Sequence, residues 1–431
     1  MQSTTPKDVY KRSRILFVAE QTLEYFISML ITGAYLARLT AAIGLSDDVT
    51  GILSAIASIA GIANLLALTL MNRRSVKRIV TIGHTVNQLL FAFLYLIPFI
   101  PVPPGLRTLL LCVSLLFGYI ISSSVSAPKI TWFMALVDDR KRGIYTANKE
   151  IVSLLSGMLF TFIMGGIIDY FDAKGNQSAT LLFLSAVVFT LSILHTMSLL
   201  FSKEKTVSEE AIQKERVRVK DLVSNKKLLK ILPVTAAWAL IYSTLTPFLG
   251  TYQNKELGFS MLFISAISAI ASLMRAVFSR PMGRFADKYS FSSMLVLCFS
   301  IQALALALNT FTVPANGRVL FTLYAILNCI SMAGINSALI NLVYDYVPGR
   351  MRTASLAFQS ILNGLVGFLT TLIASRLVAY IQKSGNRFLG LSAYSQQVLS
   401  ALALLFCLLT ILYLCLVVRR IKRTRSESDE T

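Results

Sequence analysis

The stretch AEQTLEYF at 19–26 places Glu20 and Glu24 one helical turn apart inside an otherwise apolar run, with Gln21 and Tyr25 beside them. Ionisable side chains in apolar spans are costly, and by default they mark function. At about 1.5 Å per residue from the cationic flank of Lys7, Lys11, Arg12 and Arg14, Glu24 lies near mid-membrane and Glu20 nearer the N-terminal side. Two carboxylates this close and partly desolvated would bind a proton near neutral pH, as proton coupling requires. The same pair would also suit a helix end that reaches water, or a salt bridge to Arg275 that holds two parts of the chain together. Arg275 lies in a later apolar run at a similar depth and would equally suit an anionic substrate.

The elements that must hold these residues are membrane helices. Of 431 residues 55% are hydrophobic and only 14% charged, with a mean hydropathy of +0.67. The net charge of +20 sits in short connections between apolar runs, which speaks for membrane orientation and against nucleic acid. At about 20 residues per crossing, the sequence predicts twelve spans. They run over 15–40, 49–71, 79–100, 106–128, 146–170, 178–201, 231–252, 259–280, 291–312, 318–345, 354–380 and 393–418. The first is too long for the core of a signal peptide and lacks a small-residue cleavage site. The five cysteines (Cys112, Cys298, Cys329, Cys407, Cys415) fall inside apolar runs without metal-ligand spacing and are expected to be reduced core residues.

Orientation follows from alternating charge. Arg73, Arg74, Lys77 and Arg78 follow span 2, and Arg140, Lys141, Arg142 and Lys149 follow span 4, whereas Arg107 stands alone after span 3 and Lys174 after span 5. With five basic residues between Arg419 and Arg425, both termini are expected in the cytoplasm of a cell-membrane protein. One connection, 202–230, is long and of mixed charge, and it reads as a surface helix or tether. It separates two six-span halves, 1–201 and 231–431, the second ending in a short basic tail.

A shift of 210 positions lays VDDRKRGIYTANKE (137–150) on VPGRMRTASLAFQS (347–360), matching Val137 to Val347, Arg140 to Arg350, Arg142 to Arg352 and Gly157 to Gly367. Nearly the same offset lays SAIASIA (54–60) over SAISAIA (265–271), so the halves are copies of one unit. This all-α repeat, with GRFADK (283–288) between spans 8 and 9 and Arg142-Gly143 between spans 4 and 5, resembles the major facilitator superfamily. The resemblance covers the whole chain. It implies a monomeric secondary transporter working by alternating access on a small-molecule solute within the lipid bilayer, with no cofactor besides a coupled proton. A scarcity of His (two residues) and the absence of nucleophile motifs also argue against an enzyme.

The resemblance assigns roles. Gly283 would let helices approach, and Asp287 would pair with Arg352 or Arg350 as a cytoplasmic latch. The first half departs from this pattern: NRRSVKR (72–78) puts Arg73 and Lys77 where Gly283 and Asp287 stand, leaving Arg142 to Asp138 or Asp139 or to no latch. Spans 1, 4, 7 and 10 and their neighbours line the cavity in the superfamily, which places Glu24, Tyr25, Trp238, Tyr242, Asn328, Asn336 and Asn363 there, with Gln21 and Arg275. Amides and rings suit a polar solute, although polar side chains also join helices to one another. Lys129 is expected to snorkel, Lys149 to pair with Glu150, and His84 and His195 to pack in peripheral spans. In span 5, GMLFTFIMGG (157–166) keeps Gly157, Gly165 and Gly166 of the antiporter signature but has Thr161 and Phe162 for its Gly-Pro, so the proline kink should be missing. Proton symport is therefore the leading expectation, with efflux of amphipathic compounds and a non-transporting sensor behind it.

Overall fold

Inside hydrocarbon every backbone N–H and C=O must find a partner within the chain, which leaves the helix as the economical answer for apolar runs of this length. The computed structural model describes residues 10–60, 76–137, 142–204, 224–348 and 351–421, together with 63 and 222. Side chains at 58–59, 127, 131, 134–135, 142–148, 150–151, 287, 344 and 352–354 lie outside this description. The helices are α1 (Lys11–Leu30), α2 (Gly33–Ile43), α3 (Asp47–Ala60), α4 (Val76–Leu94), α5 (Pro104–Ala135), α6 (Arg142–Ala173) and α7 (Gln177–Phe201). After the connection come α8 (Lys226–Thr251), α9 (Met261–Lys288), α10 (Phe291–Thr310), α11 (Gly317–Tyr346), α12 (Arg352–Lys383) and α13 (Ser395–Leu416). A two-residue hairpin, Arg387–Phe388 against Leu391–Ser392, joins the last two.

Among the described residues nine helices are long and apolar enough to cross a membrane, and ten if α1 and α2 form one broken span. The first predicted span is thus corrected: it bends by 45° between Leu30 and Gly33, where Gly33 takes a left-handed φ of +54° that a side chain would resist. The predicted loop at 283–288 is also corrected, because those residues form the last turns of α9, which ends at Lys288 with Tyr289 as its C-cap. Span 5 behaves as its composition requires: without proline, α6 runs unbroken from Arg142 to Ala173.

By its contacts the chain divides into two compact units, Met1–Tyr35 with Ala60–Gln213 and Leu36–Ile59 with Lys214–Thr431. In the first, α1 packs on α7 and α6, while α4 packs on α5 and α7. In the second, α8 packs on α13 and α12, while α10 packs on α11 and α13. These are the same four pairings under the sequence repeat, and the 32-residue helices α6 and α12 begin and end at positions 210 apart. Arg142 and Arg352 are therefore the first residues of equivalent helices. Within the second unit the first turn of α3 is tied down by Asp47, whose carboxylate accepts from Lys255 and, at 2.8 Å, from Gln382 Nε2. That position at a helix N-terminus also favours a negative charge.

Close approach at α6 is set by Gly157. A Cβ built there would stand 2.4 Å from the Tyr25 ring, so α6 can lie against α1 only because the side chain is absent. Gly157→Ala is expected to destabilise the protein by about 1–3 kcal/mol, the usual cost of overpacking, measured as a lower thermal midpoint in detergent.

Candidate functional site

The first unit gathers its buried charge at one level. Glu20 is the tenth residue of the 20-residue α1, well inside the helix, and it is 1% exposed. Lys129, four-fifths of the way along α5, points its ammonium between the two carboxylates. Its Nζ lies 3.0 Å from Glu20 Oε1 and donates a short hydrogen bond to Glu24 Oε2. From α7 the His195 Nε2 meets the same Glu20 oxygen at 2.9 Å. From α4 the His84 Nδ1 approaches Glu24 Oε1 to 3.7 Å, within Coulombic reach but too long for a hydrogen bond. The two imidazoles lie 5.4 Å apart between ring centroids.

Helix pairing brings these residues together. The contacts of α1 with α7 and of α4 with both α5 and α7 converge four helices on one point, and each contributes at least one ionisable group. A fifth helix reaches the edge: Lys149 of α6 donates to Gln21 Oε1 at 3.3 Å, and Gln21 Nε2 faces Glu24 Oε2 at 3.5 Å. Glu24 is the exposed member, at 19% of its side chain, while Lys129, His84 and His195 are buried.

One turn away on each of the four helices sits an apolar plug. Phe17 precedes Glu20, Val80 precedes His84, Trp132 and Phe133 follow Lys129, and Leu199 follows His195, all packed as one buried cluster with Leu136 and Val137. Phe17 meets the Trp132 ring edge-on at 4.8 Å. Beyond the plug, Arg14 Nη1 donates to Leu136 O at 3.1 Å and Trp132 Nε1 to Lys203 O at 2.9 Å, stapling the helix ends. Glu24 is thus the least enclosed of the charges, and the side toward the plug is closed by apolar packing.

Three sequence expectations are corrected here. Lys129 does not snorkel: two carboxylates hold it inside, where a lone ammonium would be costly. His84 and His195 are not peripheral packing residues, since both face the glutamates. Glu20 does not sit at a helix end that reaches water: it is buried and paired with Lys129 and His195. Lys149 turns to Gln21, and the Glu150 side chain lies outside the described residues. Glu20, His84 and His195 also place one ligand atom each within 4.8 Å of one another, the spacing of a metal site. The Lys129 ammonium already occupies the cation's place beside Glu20.

In the second unit Trp238 is buried and meets Tyr242 and Phe299, each at 5.9 Å between ring centroids. Tyr242 keeps 40% of its surface exposed. Asn328 accepts from Gln302 Nε2 at 3.0 Å, so part of its polarity is spent joining α10 to α11. Asn336 and Asn363 are half-buried, and Asn363 Oδ1 has no hydrogen-bond partner among the described residues. Arg275 lies mid-way along α9, half-buried.

A profile of the Major Facilitator Superfamily matches residues 21–371. The chain belongs to that superfamily and is a transporter, not an enzyme. Solved structures of superfamily transporters share the fold at low identity. A variant of the nucleoside transporter NupG superposes with a TM-score of 0.75 at 13% identity, over 94% of this chain and 99% of that one. A bacterial homologue of the human lysosomal transporter Spinster gives 0.70 at 13%, over 95% and 97%. The D-xylose–proton symporter gives 0.68 at 15%, over 93% and 97%. Among curated protein sequences nothing matches.

The superfamily's latch residues are partly visible in this chain. Among the described residues nothing lies within 4 Å of where a Cβ at Gly283 would stand. Asp138, Asp139 and Arg350 lie outside the described residues, as do the side chains of Arg142, Asp287 and Arg352. Lys77, which stands where the superfamily's loop motif has an acid, binds locally instead: its Nζ donates to Leu200 O at 2.7 Å and its backbone N–H to Glu204 at 3.1 Å. The basic replacement thus fastens α4 to the end of α7.

Proposed function

We propose that this chain is a proton-coupled symporter that moves a small polar organic solute across the cell membrane by alternating access. It would act as a monomer of twelve spans with both termini in the cytoplasm. The observation that carries the reading is the buried set Glu20, Glu24, Lys129, His84 and His195. With neutral imidazoles it holds two negative charges and one positive, and a site buried this deeply favours neutrality. One further proton would supply the missing charge. Glu24, the least enclosed of the five, is the group through which that proton would enter.

Symport rather than efflux is supported by the unbroken α6, which lacks the Gly-Pro of the antiporter signature. In the second half Asp287 would latch to Arg352 or Arg350 on the cytoplasmic side, as in the superfamily. The direct test is uptake into proteoliposomes with an inside-alkaline gradient of one pH unit, across sugars, nucleosides, amino acids and organic acids. One proton per solute supplies about 1.4 kcal/mol, hence about tenfold accumulation of the true substrate. Uptake that proceeds but ignores the gradient would refute proton coupling.

A further inference from the structure

An apolar groove runs between α8 and α13 in the second unit and ends beside a basic rim. Its walls include Pro233, Ala237 and Leu240 of α8 and Phe406, Thr410 and Tyr413 of α13, around a volume of about 200 Å³. Each trio is spaced i, i+4, i+7, so each is one stripe of its helix. The polar side chains of the wall are spent. Thr410 Oγ1 donates to Phe406 O at 2.7 Å, and Tyr413 Oη donates to Lys230 O at 3.0 Å. What remains to meet an occupant is hydrocarbon. Leu409 also lines the groove and is exposed, as are Leu405 and Leu412 on its own stripe of α13, so the groove opens toward the surrounding lipid.

The stripe of α8 that walls the groove continues outward as Lys230 and Lys226, which keep the same alternation of three and four residues and are both exposed. The Tyr413 hydrogen bond to Lys230 fixes that lysine at the end of the groove. Arg419 and Arg420 follow just past α13 at the same end, in a short 3-10 turn, and are likewise exposed. None of these four cations makes an ion pair among the described residues. Membrane orientation asks for cations somewhere in this connection, but not for two of them on the one stripe that leads into the groove. From Lys230 to Leu240 the stripe covers about 15 Å, the depth of hydrocarbon in one leaflet.

We propose that the groove between α8 and α13 binds one anionic phospholipid. An acyl chain lies along Pro233, Ala237 and Leu240, and the headgroup phosphate rests among Lys226, Lys230, Arg419 and Arg420. Each cation held near an anionic headgroup contributes about fivefold to affinity. In the orientation proposed above, the lipid belongs to the cytoplasmic leaflet, where anionic headgroups are found. The site shares no residue with the charge cluster of the first unit, so it stands or falls separately from the transport reading.

The test is native mass spectrometry of the purified full-length protein in detergent, titrated with dioleoyl phosphatidylglycerol, dioleoyl phosphatidylcholine or inorganic phosphate, with thermal midpoints measured in parallel. One phosphatidylglycerol should bind about tenfold more tightly than phosphatidylcholine and raise the midpoint, and phosphate should not displace it. Lys226→Gln with Lys230→Gln should weaken it about 25-fold, at about fivefold per lysine. Ala237→Phe fills the groove and leaves every charge in place; it should weaken the lipid about tenfold, as expulsion of two methylenes would. Ile373→Phe, at an exposed apolar position of α12 outside the groove, should change nothing. Lipid-free midpoints equal to that of the wild type exclude misfolding, and if one variant's midpoint falls, the other decides. Equal binding of phosphatidylcholine would mark an ordinary boundary lipid, and displacement by phosphate would mark a surface anion site. Either result overturns the proposal, as does wild-type binding in the double lysine variant or in Ala237→Phe.

Discussion

Lys129→Met is expected to cost about 3–5 kcal/mol of stability and to abolish transport. The cause is charge: the ammonium that lies 3.0 Å from Glu20 and hydrogen-bonds Glu24 disappears, and two carboxylates remain buried at one level without a fixed counter-ion. Removing one partner of a buried pair is far more damaging than replacing both, because the orphaned charge keeps its desolvation cost. A second substitution should therefore rescue the fold. Lys129→Met with Glu20→Gln again carries one net negative charge, as the native set does, and should recover much of the lost thermal midpoint while transport stays absent. If the single variant unfolds at the wild-type temperature, the cluster is not an energetic unit. If the double variant is no better than the single, charge is not the reason for the loss.

Glu24→Gln is expected to uncouple the carrier without unfolding it. Glu24 is the least enclosed member of the cluster, and the amide that replaces its carboxylate can still accept from Lys129, so the helices stay in place. What disappears is a titratable oxygen at the mouth of the proton path. Accumulation driven by a gradient of one pH unit should fall from about tenfold to equilibration, while solute exchange at equal pH on both sides continues. Glu20→Gln should be harsher, since Glu20 is buried and holds both Lys129 and His195. Gradient-driven accumulation that survives Glu24→Gln would place the proton elsewhere.

The pair at the centre of both predictions was legible in the sequence because Glu20 and Glu24 interrupt an apolar run at helical spacing, a signal that needs no tertiary context. Their partners were not. Lys129 stands near the end of its span, where snorkelling is a sufficient local explanation, and His84 and His195 are single residues in spans 3 and 6. Each is more than 50 residues from the glutamates, and no spacing rule links positions that meet only when α1, α4, α5 and α7 pack together. Depth alone did not name a partner for the Glu20 carboxylate, and packing within the first unit supplied Lys129. A lone histidine in an apolar span facing a span with unexplained acids was the one signal available for those partners.

By itself the sequence determined that the chain lives in a membrane, that its halves repeat with an offset of 210, and that span 5 would lack a proline kink. These are properties of hydropathy, charge and residue type along one helix at a time. The break in the first span escaped it because Gly33 reads as an ordinary glycine until its φ is known. The tertiary structure alone decided which charges neutralise one another and that Phe17, Val80, Trp132 and Leu199 close one side of them as an apolar plug. Those outcomes depend on the rotation of each helix about its axis, and rotation is set by packing against neighbours rather than by the residues of the helix itself.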